Sequence, residues 1–118
     1  MSFQEILKDA VERVEGALGG IIIASDGIPV DHFTKEPTVD PNDLAAEASS
    51  LFKSLNQTAE DLSLGNLQEV TFQTDRFTFV FRAITTEYFL ALIAKRDSNI
   101  GKARFVLRTL VPKIEKEF

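Results

Sequence analysis

A run of consecutive apolar residues dominates the second half of this chain, from Tyr88 to Ala94. It is far shorter than the roughly 20 residues that a helix needs to cross a bilayer, so we expect no membrane insertion. Successive side chains of a strand point to opposite faces of a sheet. A strand that is apolar at every position must therefore be covered on both faces. The run predicts a central strand with helices packed on each side of the sheet.

Helical periodicity predicts three helices for these two layers. The first spans residues 2–15, begins with a Ser2–Glu5 capping box, and ends at a group of glycines, Gly16, Gly19 and Gly20. The second spans residues 41–64, with Asp40 as its N-cap and Gly65 as its terminator. The third begins near residue 98, and its proline, Pro112, predicts a kink or a break.

Five strands are predicted between these helices, over residues 21–24, 28–33, 67–74, 76–84 and 87–95. Asp26-Gly27 is a strong hairpin signal between the first two strands. Pro29 cannot donate a ladder hydrogen bond, which places the second strand at a sheet edge. We predict an α+β fold with element order α-β-β-α-β-β-β-α, a mostly antiparallel sheet in the order 2-1-5-4-3, and a single domain over residues 1–118.

Composition argues against several classes of function. The chain has no cysteine and one histidine, which removes disulfides, thiolate catalysis and a histidine metal cluster. A net charge of −5 is unsuited to binding nucleic acid. Gly101-Lys102 resembles the end of a phosphate loop, but Ala103 stands where that motif needs Ser or Thr. We expect no catalytic residues, cofactor or metal, and, since no signal peptide is evident, a cytoplasmic protein.

The segments just described resemble the Roadblock (dynein light-chain-like) family, particularly its bacterial MglB-like branch. The similarity lies in the first hairpin (residues 21–30), the late strands (79–81 and 88–94) and the entry to the last helix (98–105). The resemblance implies a small homodimer or heterodimer that binds Ras-like or Rag-like GTPases, or that serves as a scaffold or motor light chain. For the MglB-like branch, it implies a GTPase-activating partner of a bacterial Ras-like GTPase.

The third predicted strand is an edge without the usual protection against pairing. It has no Pro or Lys and a single charge, Glu69, whereas the other edge carries Pro29 and Asp31. We therefore predict a homodimer in which this strand pairs with a second copy; the alternative is that a loop or the chain's own terminus covers it. The predicted dimer interface comprises Leu67, Glu69, Thr71 and Gln73 on the strand and Ala45, Ser49, Phe52 and Asn56 on the second helix.

Two charged or polar surfaces are candidates for partner contact. The outer face of the second helix carries few charges, and we predict a contact surface for another copy, for a Ras-like small GTPase or for both, with Ser50, Lys53, Ser54 and Gln57 as the GTPase contacts; the alternative is an ordinary solvated face. Residues 1–94 carry a net charge of −9 and residues 95–118 a net charge of +4. The basic end either complements the dipole of the last helix or steers an acidic partner towards it.

These observations favour a non-enzymatic dimeric module that regulates a Ras-like GTPase. One alternative is a scaffold or light-chain-like adaptor that leaves GTP turnover unchanged. Another is a sensor domain with a ligand cavity, which the ten phenylalanines disfavour because they predict a filled core.

Overall fold

A computed structural model of the protein describes residues 2–118. Its elements follow the predicted order. They are α1 (Phe3–Arg13), β1 (Ala17–Ala24), β2 (Pro29–Thr34), α2 (Pro41–Asp61), β3 (Glu69–Gln73), β4 (Phe77–Ala83), β5 (Tyr88–Lys95) and α3 (Ile100–Glu115).

The five strands form one antiparallel sheet in the order β2-β1-β5-β4-β3, which confirms the predicted topology. The apolar strand β5 lies at its centre, between β1 and β4. The two edges are β2, which begins at Pro29, and β3.

The helices cover both faces of the sheet and create two apolar layers. Helices α1 and α3 pack on one face, where Leu90 and Leu92 of β5 are fully buried. Helix α2 packs on the other face, against Phe89 and Ile93 of the same strand. The alternation of β5 between the two layers explains why every position of the run is apolar.

The first helix ends earlier than predicted, and two of its supposed terminating glycines, Gly19 and Gly20, belong to β1. Gly16 alone makes the turn between α1 and β1. It has a positive φ of 87°, and a Cβ atom there would lie 2.3 Å from the Ser98 hydroxyl. Both the backbone conformation and the close approach therefore require glycine at this position.

Further differences from the predictions concern α2, β3 and α3. Helix α2 stops at Asp61 because Ser63, ahead of Gly65, adopts the left-handed conformation, with a φ of 55°. Strand β3 is shorter than residues 67–74. Helix α3 continues through Pro112 to Glu115 without a break, since the proline falls near its last turn and removes only the hydrogen bond to the Arg108 carbonyl.

Candidate interaction surface

Strand β3 has an unpaired outer side among the residues that the structure describes. The Gln68 carbonyl accepts a hydrogen bond from the Ala83 amide, and the Thr74 amide donates to the Phe77 carbonyl, so these even-numbered residues face β4. Backbone groups alternate in direction along an antiparallel strand. The N–H and C=O groups of Glu69, Thr71 and Gln73 therefore point away from the sheet, where another strand can pair with them.

The side chains of β3 also divide between the two faces of the sheet. Phe72 lies on the α2 face, where its ring centroid is 6.0 Å from that of Phe79. Gln73 lies on the opposite face, and its amide nitrogen donates to the Thr78 hydroxyl and the Arg96 carbonyl. The edge strand thus offers an apolar side chain on one face and polar side chains on the other.

An ion pair ties the beginning of β3 to helix α3. Arg104 Nε lies 2.6 Å from Glu69 Oε2, and Arg82 Nη1 lies 3.8 Å from Glu69 Oε1. The Glu69 side chain is only 14% exposed, and its Oε1 atom is buried without a hydrogen-bond donor. The single charge on the edge strand is therefore neutralised from within the chain and does not prevent close approach of a second strand.

An apolar groove of about 280 Å³ runs beside β3, between the sheet and α2. Phe72 is 50% exposed and Leu51 is 38% exposed at its borders. The other residues that line it are Leu44, Glu47, Ala48, Phe79 and Phe81. The apolar arc of α2 is thus only partly covered by the chain's own sheet, and its uncovered margin faces the free edge.

The residues predicted on α2 for a dimer interface differ in their exposure. Ala45, Ser49 and Phe52 are buried within the subunit. Ser49 faces the β1–β2 hairpin, since its hydroxyl lies 3.1 Å from where a Cβ on Gly27 would be. These side chains face the chain's own sheet and hairpin, so they offer too little surface for an interface.

Phe52 is a core residue of the α2 layer. Its ring stacks on Phe89 at a centroid distance of 4.0 Å and meets Phe81 edge-on at 5.2 Å. Asn56, one turn further along, is exposed instead. Leu67, also predicted at the interface, is half-buried just before β3 and, with Asn56, lines a depression of about 690 Å³ at the end of α2.

The residues predicted to contact a GTPase lie together on the exposed outer face of α2. Ser50, Lys53, Ser54 and Gln57 are all exposed. The Gln57 side-chain amide donates to Asp61 Oδ1 at 2.8 Å, which holds it along the helix. The spacing of these residues makes one continuous polar stripe, and its role as a contact surface stays a prediction.

The described residues offer neither a membrane-spanning helix nor a cluster of metal ligands. No helix within residues 2–118 combines the length and apolar character needed to cross a membrane. Over the same residues, no group of three or more acidic or histidine side chains is arranged to hold a metal ion.

Comparisons with known proteins agree with this architecture. Among solved structures, MglC from Myxococcus xanthus is 38% identical over the full length of both chains, with a TM-score of 0.72. A Roadblock/LC7 domain from Streptomyces avermitilis is 17% identical, with a TM-score of 0.89 over 99% of this chain and 98% of that one. An MglB solved in a tetrameric arrangement is 19% identical, with a TM-score of 0.83 over 91% of this chain and 80% of that one.

A search of curated protein sequences found no significant match. The model of the Roadblock/LC7 domain family, however, matches residues 3–94, from the start of α1 to the penultimate residue of the central strand. This chain therefore belongs to the Roadblock/LC7 domain family.

Proposed function

We propose that this protein is a homodimeric interaction module that regulates a Ras-like small GTPase without performing chemistry itself. The observation that carries the proposal is the free edge of β3, whose outward backbone groups lie beside the uncovered apolar margin of α2. An exposed edge with an adjacent apolar surface invites pairing with another chain. The tetrameric arrangement of a structurally similar MglB supports self-association.

A two-fold dimer makes the two edge strands antiparallel, because the same surface of each copy contacts the other. Centring the pair on Thr71 uses all three outward residues: Thr71 faces Thr71 of the second copy, and Glu69 faces Gln73. This register also sets the partly exposed Phe72 ring beside Val70 of the second copy. The groove between α2 and the sheet is then closed by the second subunit.

Single cysteines test this register directly, since the natural sequence has none. Hydrogen-bonded antiparallel pairs have Cα atoms about 5.5 Å apart, within the range of a disulfide. Thr71→Cys should form a covalent dimer under mild oxidation. Gln73→Cys is the matched control, because four residues of strand place its two copies about 14 Å apart. A cross-linked Gln73→Cys dimer with an unreactive Thr71→Cys protein would contradict the register.

The regulatory part of the proposal rests on family membership and on the exposed stripe of α2. A dimer joined through β3 places both α2 helices on the same face, so a GTPase meets a surface built from two copies. Binding that prefers the hydrolysis-competent conformation of the GTPase would raise its turnover by shifting its population. Here the nucleotide chemistry belongs to the GTPase.

GTP hydrolysis by Ras-like GTPases of the source organism, with and without this protein, tests the regulation. We expect stimulation, and we expect Lys53→Glu combined with Ser54→Glu to abolish it. Lys8→Glu is the control, since Lys8 is exposed on α1, on the other side of the sheet. Tight binding without stimulation would contradict regulation and indicate an adaptor instead.

A further inference from the structure

The outer face of α3 combines an exposed aromatic ring with cations. Phe105 is 50% exposed, and Lys102, Arg104 and Arg108 are exposed around it. From Ile100 to Lys113 the helix contains no acidic residue. This face lies on the side of the sheet opposite α2, so a partner bound here does not compete with one bound to α2.

Complementing the helix dipole does not explain these cations. Basic side chains stabilise the last turn of a helix and destabilise its first turn. Lys113 satisfies this rule, but Lys102 lies in the first turn and Arg104 follows closely, while no acidic residue lies there. Complementing the helix dipole therefore explains the basic residues only at the C-terminal end of α3.

Internal ion pairing accounts for only one of the cations around Phe105. Arg104 contacts Glu69. Within residues 2–118, neither Lys102 nor Arg108 has a carboxylate at ion-pair distance. These two charges flank the exposed ring without internal compensation, in a chain whose residues 1–94 carry a net charge of −9.

We propose that the outer face of α3 is a docking surface for an acidic protein segment whose apolar side chain covers Phe105. Aromatic and arginine side chains are enriched where proteins bind each other. Here they occur with positive charge that the fold itself leaves uncompensated, and an acidic partner supplies the missing carboxylates. The acidic remainder of the chain repels such a partner elsewhere and orients its approach to α3.

The probe for this surface is a synthetic peptide that alternates glutamate and leucine, titrated into the full-length, ¹⁵N-labelled protein. We expect chemical-shift changes centred on residues 101–112 and binding that weakens with added salt. Arg108→Glu and Phe105→Ala should each weaken binding by about tenfold, which is a moderate loss for a contact residue. Lys35→Glu makes the same charge change on the exposed surface beyond β2 and should leave binding unchanged.

Several outcomes would overturn the proposal. They are wild-type affinity in Arg108→Glu, shift changes centred away from α3, and equal binding of a lysine–leucine peptide. Binding of phosphatidylserine vesicles through α3 in place of the peptide would identify a membrane surface instead. The surface lies outside the β3 edge, so a monomeric Thr71 variant that still binds the peptide separates this proposal from the previous one.

Discussion

Replacing Thr71 with proline tests whether the free edge of β3 joins two subunits. The Thr71 amide points away from β4, so Thr71→Pro removes no hydrogen bond within the chain and should leave the subunit folded. In a dimer centred on this residue, the substitution removes both hydrogen bonds that the two Thr71 residues exchange. It also leaves the carbonyl of each residue 71 facing the other copy's proline, which has no amide hydrogen to donate.

The size of the effect follows from these losses. Each backbone hydrogen bond contributes about 0.5–1.5 kcal/mol net, and each stranded polar group costs about 1–3 kcal/mol. The lower ends of both ranges apply, because water can reach this edge. Each symmetric site loses one hydrogen bond and strands one polar group, so the two sites together cost about 3 kcal/mol. The dimer dissociation constant should therefore rise by about a hundredfold.

Light scattering and sedimentation at micromolar concentration measure this change, and circular dichroism confirms that the variant is folded. Thr71→Val is the matched control, because it keeps the amide hydrogen and a β-branched side chain. We expect a dimer for the wild type and for Thr71→Val, and a monomer for Thr71→Pro. A folded Thr71→Pro protein with the wild-type dissociation constant would refute edge pairing, as would a wild type that is monomeric throughout.

Three further predictions concern the subunit itself, and urea unfolding checks each. Hydrogen bonds from Ser2 lower the pKa of Glu5. The stability that ionised Glu5 contributes is therefore present at neutral pH and is lost as the pH falls through that lowered pKa. The unfolding free energy of Glu5→Gln should equal that of the wild type only in acid. Gly16→Ala should cost more than about 1 kcal/mol through its positive φ and its clash with Ser98, and adding Ser98→Gly should restore only part of it. Phe52→Ala should cost about 3–5 kcal/mol, because the ring is buried against two others.

Local patterns in the sequence were sufficient to predict most of the fold. The apolar run of β5 identifies the central strand, and Asp26-Gly27 identifies the hairpin, because each depends on a few neighbouring residues. The glycines of β1 were misread, because Gly19 and Gly20 break a helical pattern but are also compatible with a strand that two neighbours hold in place. Only the pairing with β2 and β5 distinguishes the two cases.

The surface beside β3 was harder to predict than the strand itself. Periodicity gives the apolar arc of α2, but which margin of the arc meets the sheet depends on how the helix crosses the strands. The buried position of Ser49 and the exposure of Leu51 reverse what polarity alone indicates. Aromatic character alone likewise does not predict the exposed ring of Phe105, since Phe72 and Phe118 are also half-exposed whereas Phe52 and Phe89 are buried.

The contact between Arg104 and Glu69 has a consequence for how the two ends of this molecule communicate. It joins the helix that carries Phe105 to the strand that carries Thr71. A ligand that draws the guanidinium away from the carboxylate alters the energy of the sheet edge. In the proposed dimer, thermodynamic reciprocity means that subunit association alters the affinity for that ligand by the same factor. The guanidinium group of Arg104 thus couples the two proposed equilibria, subunit association through β3 and ligand binding to α3.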